Sequence, residues 1–328
     1  MQPKKVNDLE IPVLYYLSDY CFISGKELSN SLGISRVAVW KQIQKLKKLG
    51  YQIIASGKDG YKITSRPDIL LAAEVSKMIK TKDIAKKIFY YKKVDSTNSL
   101  AKQLLKNENN NLPEGTVLIA GEQTAGRGRL GRNWYSPKGG VWFTIILFPD
   151  LEPAYISRIT LMSAVVLVNS LKTLYNLKPK IKWPNDIIFE GQKIAGMLTE
   201  MSAEADKINY ILIGIGINAN LQTDWFPSEI RKQSISLAEI LQKPVSKVQL
   251  LRLILENFEK YYSILKKRQF SLILEEWKQN TETLGKYVTI MSGEKTTSGK
   301  VIDIKLDGSL IIKEDNGNLQ NILSGTLL

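Results

Sequence analysis

The segment from Gln123 to Trp134 sets three glycines among three arginines, with glycine at 126, 128 and 131 and arginine at 127, 129 and 132. A stretch this rich in glycine predicts a loop rather than a helix or a strand. Its backbone N–H groups and guanidinium groups could surround a phosphate or a carboxylate. About fifty residues later, Lys182 and Asp186 flank a Trp-Pro-Asn turn. Together the two segments indicate a site that activates an acid with a nucleotide.

The chain of 328 residues contains no histidine and a single cysteine, Cys21. Ser-His-Asp and Cys-His catalysis, histidine-ligated metals and an internal disulfide are therefore excluded. Cys21 lies between two aromatic residues, and we interpret it as a buried apolar side chain. The groups left for catalysis are Lys, Arg, Asp, Glu, Tyr, Ser, Thr, the backbone and a bound divalent ion.

Composition indicates a globular protein of two or three domains, with 24% charged and 44% hydrophobic residues. The net charge of +14 leaves two interpretations open, general lysine richness and contact with nucleic acid. The first residues, Met-Gln-Pro-Lys, lead into a helical pattern without a signal-peptide core. No apolar run approaches the ~20 residues that span a bilayer. We therefore expect a cytoplasmic protein without membrane contact.

Residues 1–65 predict a winged helix-turn-helix. Leu14 and Leu17 indicate a first helix, the capping-box pattern at 24–27 begins a second, and Ser35 would cap a third that ends at Gly50. A hairpin with Asp59-Gly60 in its turn follows. Ten Lys and Arg residues against five acids give this segment a net charge of +5. The alternative to DNA binding is a winged helix that binds protein and has a solvated basic face.

The third helix of this module would read DNA, because base and phosphate contacts usually start near the N-terminus of a recognition helix. Arg36 and Lys41 are the predicted readers, and the lysines would mostly contact the phosphate backbone. The predicted DNA-binding residues are Ser35, Arg36, Lys41, Gln44, Lys45 and Lys58.

Residues 66–282 predict a mixed sheet with helices, beginning where Arg66 precedes a proline. Apolar runs predict strands at 88–94, 116–120, 141–147, 187–189, 194–198 and 210–217 and helices at 70–79, 151–177 and within 236–280. Ser96 and Thr97 precede a helical pattern, so taken alone they are helix caps. The Gly-x-Gly at 214–216 is weak evidence for dinucleotide binding, since a third glycine and a following helix are missing.

Residues 283–328 contain short apolar segments joined by Asp307-Gly308 and Asn316-Gly317 turns. Such turns between alternating segments predict β-hairpins. We interpret this region as a small β-barrel that serves as a structural cap.

The combined pattern resembles bifunctional biotin–protein ligases that also act as the biotin operon repressor, over essentially the whole chain. The resemblance rests on Asp-Ser-Thr-Asn at 95–98, the loop at 123–134, Lys-Trp-Pro-Asn-Asp at 182–186, Lys-x-Ala-Gly at 193–196 and Gly-x-Gly-x-Asn at 214–218. It implies an α+β protein with a winged helix-turn-helix at 1–65, a class II synthetase-like mixed sheet with helices at 66–282, and an SH3-like barrel at 283–328.

The resemblance also implies a two-step reaction. The biotin carboxylate attacks the α-phosphate of ATP, giving biotinyl-5′-AMP and pyrophosphate, and a lysine of the biotin carboxyl carrier protein of acetyl-CoA carboxylase then attacks the mixed anhydride. Mg²⁺ accompanies ATP, and no residue is assigned as a metal ligand. Operator DNA and, once the adenylate is bound, a second copy of the chain are the further implied partners.

Residue roles follow from the same resemblance. Biotin would be held by Ser96, Thr97, Asn98, Gln123, Arg127 and Lys193. The nucleotide would be bound by Arg129, Arg132, Trp134, Lys182, Asn185 and Asn218. Lys193 would lie against the carboxylate and phosphate oxygens, Arg129 would retain the adenylate, and Asp186 would orient or deprotonate the acceptor lysine. Leu130 stands where the family often has a basic residue.

Two other functions stay open at this point. A ligand-sensing transcription factor with a degenerate ligase domain is disfavoured by the intact set of Arg127, Arg129, Asp186 and Lys193. A ligase for lipoate or another acid is disfavoured because the Arg-Arg and Gly-Gly-Gly loop usual in lipoate ligases is absent from the sequence.

Overall fold

The structure, a computed structural model, describes residues 10–77, 79–107, 111–204 and 207–327. The opening segment that we interpreted as lacking a signal core, including Lys4, Lys5 and Asp8 of the charge count, lies outside the described residues.

The N-terminal module is a winged helix-turn-helix. Its elements are α1 (Val13–Tyr16), α2 (Gly25–Leu32), α3 (Arg36–Lys48), β1 (Gln52–Ser56) and β2 (Gly60–Ser65). The Ser24 hydroxyl accepts from the Glu27 N–H at 3.0 Å and begins α2, and Gly33 ends it in the left-handed conformation. Helix α3 buries Val39, Ile43 and Leu46, and ends two residues earlier than predicted.

The central region builds one seven-stranded sheet. Its elements are α4 (Ala72–Ser76), β3 (Ile88–Tyr91), α5 (Thr97–Lys106), β4 (Val117–Ala120), β5 (Val141–Leu147), α6 (Ser157–Tyr175), β6 (Lys180–Lys182), β7 (Asp186–Phe189), β8 (Gln192–Glu204), β9 (Lys207–Ile217), α7 (Ser228–Arg231), α8 (Leu237–Leu241), α9 (Lys247–Lys266) and α10 (Phe270–Asn280). The strand order is β3-β4-β5-β9-β8-β7-β6, with β3 and β4 parallel and the other neighbours antiparallel. The long β8–β9 pairing at the centre gives the site a rigid floor.

The C-terminal strands form a separate five-stranded antiparallel sheet in the order β13-β12-β11-β10-β14. They are β10 (Tyr287–Ser292), β11 (Lys295–Ile304), β12 (Leu310–Lys313), β13 (Leu319–Ile322) and β14 (Thr326–Leu327). This sheet contacts the central region at the start of α6, where the Arg158 side chain donates to the Leu306 carbonyl at 2.9 Å. The predicted α+β fold class is confirmed.

Two sequence predictions about single segments are wrong. The helix predicted at 70–79 is limited to α4, because Lys77 already has an extended backbone. Cys21, interpreted as buried, is exposed, since it lies in the loop between α1 and α2 rather than on a packed face.

One segment, Pro153–Tyr175, is long and apolar enough to cross a membrane by length and composition. The expectation that no run approaches that length is therefore wrong. Within this protein the segment is packed, since 61% of its most apolar window is buried. Helix α6 lies in the core against α9 and α10, which accounts for its apolar composition without a bilayer.

Candidate active site and DNA-binding face

A cavity of about 510 Å³ opens at the ends of the central strands. Twelve of the thirteen residues predicted for ligand binding and catalysis line it: Ser96, Thr97, Asn98, Gln123, Arg127, Arg129, Arg132, Trp134, Lys182, Asn185, Asp186 and Lys193. They come from four separate segments of the chain. The fold therefore brings into one cavity the motifs that the sequence holds up to about a hundred residues apart.

Ser96 and Thr97 stand at the start of α5 and are both buried. The expectation that these residues only cap the helix fails for Ser96, which occupies the N-cap position with no hydrogen bond from its side chain to the backbone. Ser96 also lines the cavity. The Thr97 backbone N–H instead donates to the Gln123 side-chain oxygen at 2.8 Å, which ties the helix to the glycine-rich loop.

The glycine-rich loop is fixed by bonds between its two limbs. Gln123 and Trp134 donate backbone N–H groups to Ser136 and Gly126 at 2.9 Å each. Gly126 has no room for a side chain, since a Cβ there would lie 2.4 Å from the Trp134 carbonyl. Leu130 sits at the exposed tip with φ of 55°. The loop thus presents its arginines from a hairpin-like turn.

The Trp134 side chain packs against strands β8 and β9 in the floor of the cavity. A Cβ at Gly216 would come within 2.3 Å of the Trp134 Nε1, and a Cβ at Gly196 within 3.0 Å of its ring. These close approaches explain Gly196 of β8 and Gly216 of β9. Gly216 belongs to the Gly-x-Gly pattern that is weak evidence for dinucleotide binding. The Trp134 Nε1 is buried and has no hydrogen-bond partner among the described residues.

Lys193 and Asp186 form the charged centre of the cavity. The Lys193 Nζ lies 2.7 Å from the Asp186 Oδ1 and 4.8 Å from the centre of the Trp134 ring. The carboxylate contact is an ion pair without hydrogen-bond geometry. Both side chains are about a quarter to a third exposed. A cation held this way can turn to an incoming anion with little rearrangement.

Arg129 and Arg132 reach the C-terminal region, which the sequence predicts only as a structural cap. The Arg129 side chain lies 3.3 Å from the Gly325 carbonyl and 3.4 Å from the Asn185 side-chain oxygen. Arg132 donates to the Thr326 hydroxyl at 3.4 Å. Burial lowers the pKa of Arg129, and Asp186 partly offsets this effect. Residues 325–327 also line the cavity, and no motif in the sequence pointed to them.

Two predicted ligand residues are committed to protein contacts. Asn218, the thirteenth residue, does not line the cavity, and its side chain donates to the carbonyls of Lys193 and Ile235 at 3.2 Å each. It therefore fixes the backbone of Lys193 instead of facing the nucleotide. Asn98 lines the cavity, but its side chain bonds to Thr144 and Glu200.

The cavity contains too few oxygen ligands for a metal site built by protein alone. Asp186 is the one carboxylate in its lining. Among the residues that the structure describes, no group of three or more acids and cysteines could hold an ion. Mg²⁺ bound largely by nucleotide phosphates fits this site, because that ion commonly takes only one or two protein carboxylates.

The predicted DNA-binding residues lie on the open surface of the winged helix. Ser35, Arg36, Lys41, Lys45 and Lys58 are exposed, and Gln44 is half-buried. The Ser35 hydroxyl is partly occupied, since it caps α3 by accepting from the Ala38 N–H at 3.2 Å. Two apolar side chains of the same helix, Val37 and Trp40, are 62% and 52% exposed and were not predicted from the sequence.

Comparisons with known proteins agree with this architecture. The model described as the Biotin/lipoate A/B protein ligase family matches residues 90–218, an HTH domain model matches 13–62, and the Biotin protein ligase C terminal domain model matches 283–326.

Relatives match over nearly the full length. The bifunctional ligase/repressor BirA of Bacillus subtilis (strain 168) is 37% identical over 297 residues, covering 90% of this chain and 90% of that protein. The protein of the same name from Escherichia coli (strain K12) is 27% identical and covers 95% of this chain and 94% of its own. The solved biotin protein ligase from Aquifex aeolicus in complex with biotin and ATP is 30% identical, with a TM-score of 0.64 over 74% of this chain and 98% of that chain.

Proposed function

The chain belongs to the bifunctional ligase/repressor family of biotin–protein ligases, and from this membership we propose the roles that its own residues play. The protein is an ATP-dependent biotin–protein ligase that carries a DNA-binding helix-turn-helix. The observation that supports the residue roles best is the position of Lys193, between the Asp186 carboxylate and the Trp134 ring in the cavity.

In the first step, Lys193 leaves Asp186 and bridges the biotin carboxylate and the α-phosphate. Two anions must approach each other in this step, so neighbouring cations lower its barrier. Arg129 and Arg132 neutralise phosphate oxygens from the loop, and Arg127 and Gln123 hold biotin beside Ser96 and Thr97. Lys182 and Asn185 contact the nucleotide, and Trp134 packs against the adenine. Mg²⁺, when bound with ATP, supplies further neutralisation of phosphate charge.

In the second step, the acceptor lysine of the carrier attacks the acyl carbon, and AMP leaves. The ammonium group of a lysine must lose a proton before its nitrogen can act as a nucleophile. Asp186, released from Lys193 by the adenylate, orients this amine and accepts its proton. The acceptor lysine belongs to a biotin carboxyl carrier protein, as the family membership implies.

We further propose that the adenylate promotes pairing of two chains, so that two winged helices bind a two-fold operator in the cytoplasm without membrane contact. Symmetric dimers match palindromic sites through half-site spacing. Carrier protein in its unmodified form would consume the adenylate and relieve repression.

Pyrophosphate release tests the catalytic proposal directly. The protein is incubated with ATP and Mg²⁺, with and without biotin, and unmodified carrier domain is then added. We expect biotin-dependent release that becomes multiple-turnover with carrier. Pyrophosphate release with lipoate but not with biotin would show that lipoate is the substrate. No release with any acid would indicate a ligand sensor without ligase activity.

A further inference from the structure

Helix α3 carries two apolar side chains, Val37 and Trp40, that are both more than half exposed. They are three residues apart, a spacing that makes side chains neighbours on the surface of a helix. Neither packing nor helix propensity accounts for Val37, because it gains little burial and a β-branched side chain loses rotamer freedom in a helix. We name this pair the apolar strip.

The apolar strip lies on the side of α3 that faces away from the core. Helix α3 buries Val39, Ile43 and Leu46. Consecutive residues of an α-helix turn by about 100°, so Val37 lies almost directly opposite this buried stripe. The residues that follow Val37 on the same row are Lys41, Gln44 and Lys48. The strip therefore shares the outer face of α3 with two of the predicted DNA-binding residues.

Positive charge surrounds the apolar strip. Helix α3 contains five cations and no acid, and all five cations are exposed: Arg36, Lys41, Lys45, Lys47 and Lys48. Charged residues, lysine among them, are depleted in the cores of protein–protein interfaces. Phosphate groups of a nucleic acid pair with such cations and release counterions. Apolar side chains set among cations thus fit a nucleic acid better than the apolar face of a protein.

The chemistry of the DNA groove identifies what an apolar side chain can read. The major groove of B-DNA is about 12 Å wide and admits an α-helix. The apolar group that base pairs present there is the C5 methyl group of thymine. Val37 has only methyl groups to offer, so it cannot read a hydrogen-bond donor or acceptor. It lies in the first turn of α3, where recognition helices contact base edges.

We propose that the apolar strip reads the C5 methyl group of a thymine in operator DNA. Val37 contacts the methyl group, and Trp40 packs beside this contact and excludes water from it. Both residues determine sequence specificity, in addition to the base contact proposed for Arg36. This inference rests on the proposed binding of operator DNA by the winged helix.

Replacement of thymine by deoxyuridine tests the proposal, because deoxyuridine lacks only the methyl group and forms the same base pair. The full chain, with biotin and ATP present, is titrated with an operator selected with this protein. Each thymine of one half-site is replaced in turn. We expect one replacement to weaken binding of the wild type about fourfold, as for the loss of one buried methyl group.

Variants of the strip show whether it causes this loss. Val37→Ser removes both methyl groups, so thymine and deoxyuridine at the sensitive position should bind it equally. Val37→Thr keeps one methyl group at nearly constant size and should still prefer thymine. Arg36→Ala should bind both operators more weakly and keep the fourfold difference. Leu272→Ser is the matched control, since Leu272 is a similarly exposed apolar residue of α10 in the central region.

Three outcomes would overturn the inference. They are an operator in which no thymine is sensitive to replacement, an undiminished preference for thymine in Val37→Ser, and a loss of that preference in Leu272→Ser. Unchanged DNA binding by Val37→Ser, with weaker pairing of two chains in sedimentation, would assign the strip to a protein interface and overturn the inference as well. A wild-type protein that binds no operator DNA would instead overturn the proposed function itself.

Discussion

Two charged side chains of the cavity pair with each other, and a third contacts neutral oxygen atoms. Lys193 is held by Asp186, and Arg129 contacts the Asn185 side chain and the Gly325 carbonyl. The ion pair is partly exposed, so its own contribution to stability is small. In the proposed mechanism these two oppositely charged groups serve two different steps.

Substitution of Lys193 tests the first step. Lys193→Met keeps the length of the side chain and removes the charge, so we expect adenylate formation to fall at least about a hundredfold, as for the loss of one transition-state contact. Single-turnover release of pyrophosphate measures it. Lys178→Met, at an exposed position outside the cavity, is the control. Near-normal adenylate formation in Lys193→Met would contradict the assignment.

Substitution of Asp186 separates the two steps. Asp186→Asn keeps the shape but cannot accept a proton, so transfer to the carrier should slow more than adenylate formation, by about tenfold to a hundredfold. Preformed adenylate mixed with carrier measures transfer alone. If both steps slow equally, Asp186 acts on the nucleotide and not on the acceptor lysine.

At the scale of elements, the site depends on how closely a loop and two strands approach each other. Strands β8 and β9 carry glycines where the Trp134 ring lies on them, so the ring fills space that side chains would otherwise occupy. The same logic explains why the loop has glycine at 126. Close packing leaves little freedom for such contacts to relax.

Gly216→Ala should therefore displace Trp134. The new methyl group would begin 2.3 Å from the Trp134 Nε1, so the indole must move or the strands must separate. We expect the KM for ATP to rise about tenfold or more, as for loss of a packed aromatic contact. Gly57→Ala, where a Cβ meets nothing within 4 Å, is the control. An unchanged KM would show that Trp134 does not cover the adenine.

The link between the winged helix and the central region depends on Arg66. Its guanidinium contacts Asp19 at 2.7 Å and Glu74 at 2.5 Å, and Glu74 also accepts from the Tyr51 hydroxyl at 2.9 Å. The hydrogen bond from Arg66 is the main cause that lowers the pKa of Asp19. Arg66 thus joins α4 to the loop after α1, and Glu74 of α4 also holds Tyr51, which follows α3.

Arg66→Met should loosen this junction and cost about 3 kcal/mol of stability, as for other broken buried ion pairs. Because the pKa of Asp19 is lowered in the folded protein, its contribution exists at neutral pH and is lost as the pH falls below about 4. The difference in Tm between wild type and variant should therefore shrink on acidification. A pH-independent difference would mean that the ion pair with Asp19 does not stabilise the junction.

At the scale of the whole molecule, one ligand must serve both an enzyme and a DNA-binding protein. The winged helix and the cavity belong to different parts of the chain, so the adenylate must act on DNA binding indirectly. Pairing of two chains provides such a route, because affinity for a two-fold site rises when both half-sites are bound together.

Footprinting on an operator selected with this protein tests the coupling. Protection should require biotin and ATP together. Lys58→Ala should lower the slope of log K against log salt concentration by about one, as for the loss of one phosphate contact. Arg36→Ala should cost about 1–3 kcal/mol of binding free energy and relax the preference for one base pair. Lys243→Ala, in the central region, should change neither. Equal protection of the operator with and without biotin and ATP would contradict the proposed coupling.

The sequence by itself determined the motifs, the order of the elements and the exposed basic helix, because glycine-rich loops, caps and apolar periodicity are local properties. Ser24, Ser35 and Asp59-Gly60 each specify a cap or a turn within a few residues. The end of α4 and the exposure of Cys21 were misjudged, since packing partners distant in sequence decide them. The membrane-like length of the segment at 153–175 is a property of the sequence alone, and only its burial is decided by packing.

Only the tertiary structure decided which side chains are free to meet a ligand. Asn98 and Asn218 belong to motifs as clearly as Ser96 does, yet their amides are bound by Glu200 and by backbone carbonyls, whereas the Ser96 hydroxyl makes no capping bond. Thr144 lies in no motif, and the barrel residues at 325–327 lie about two hundred residues from the loop that they contact. Hydrogen-bond partners form through space, and sequence spacing does not record them.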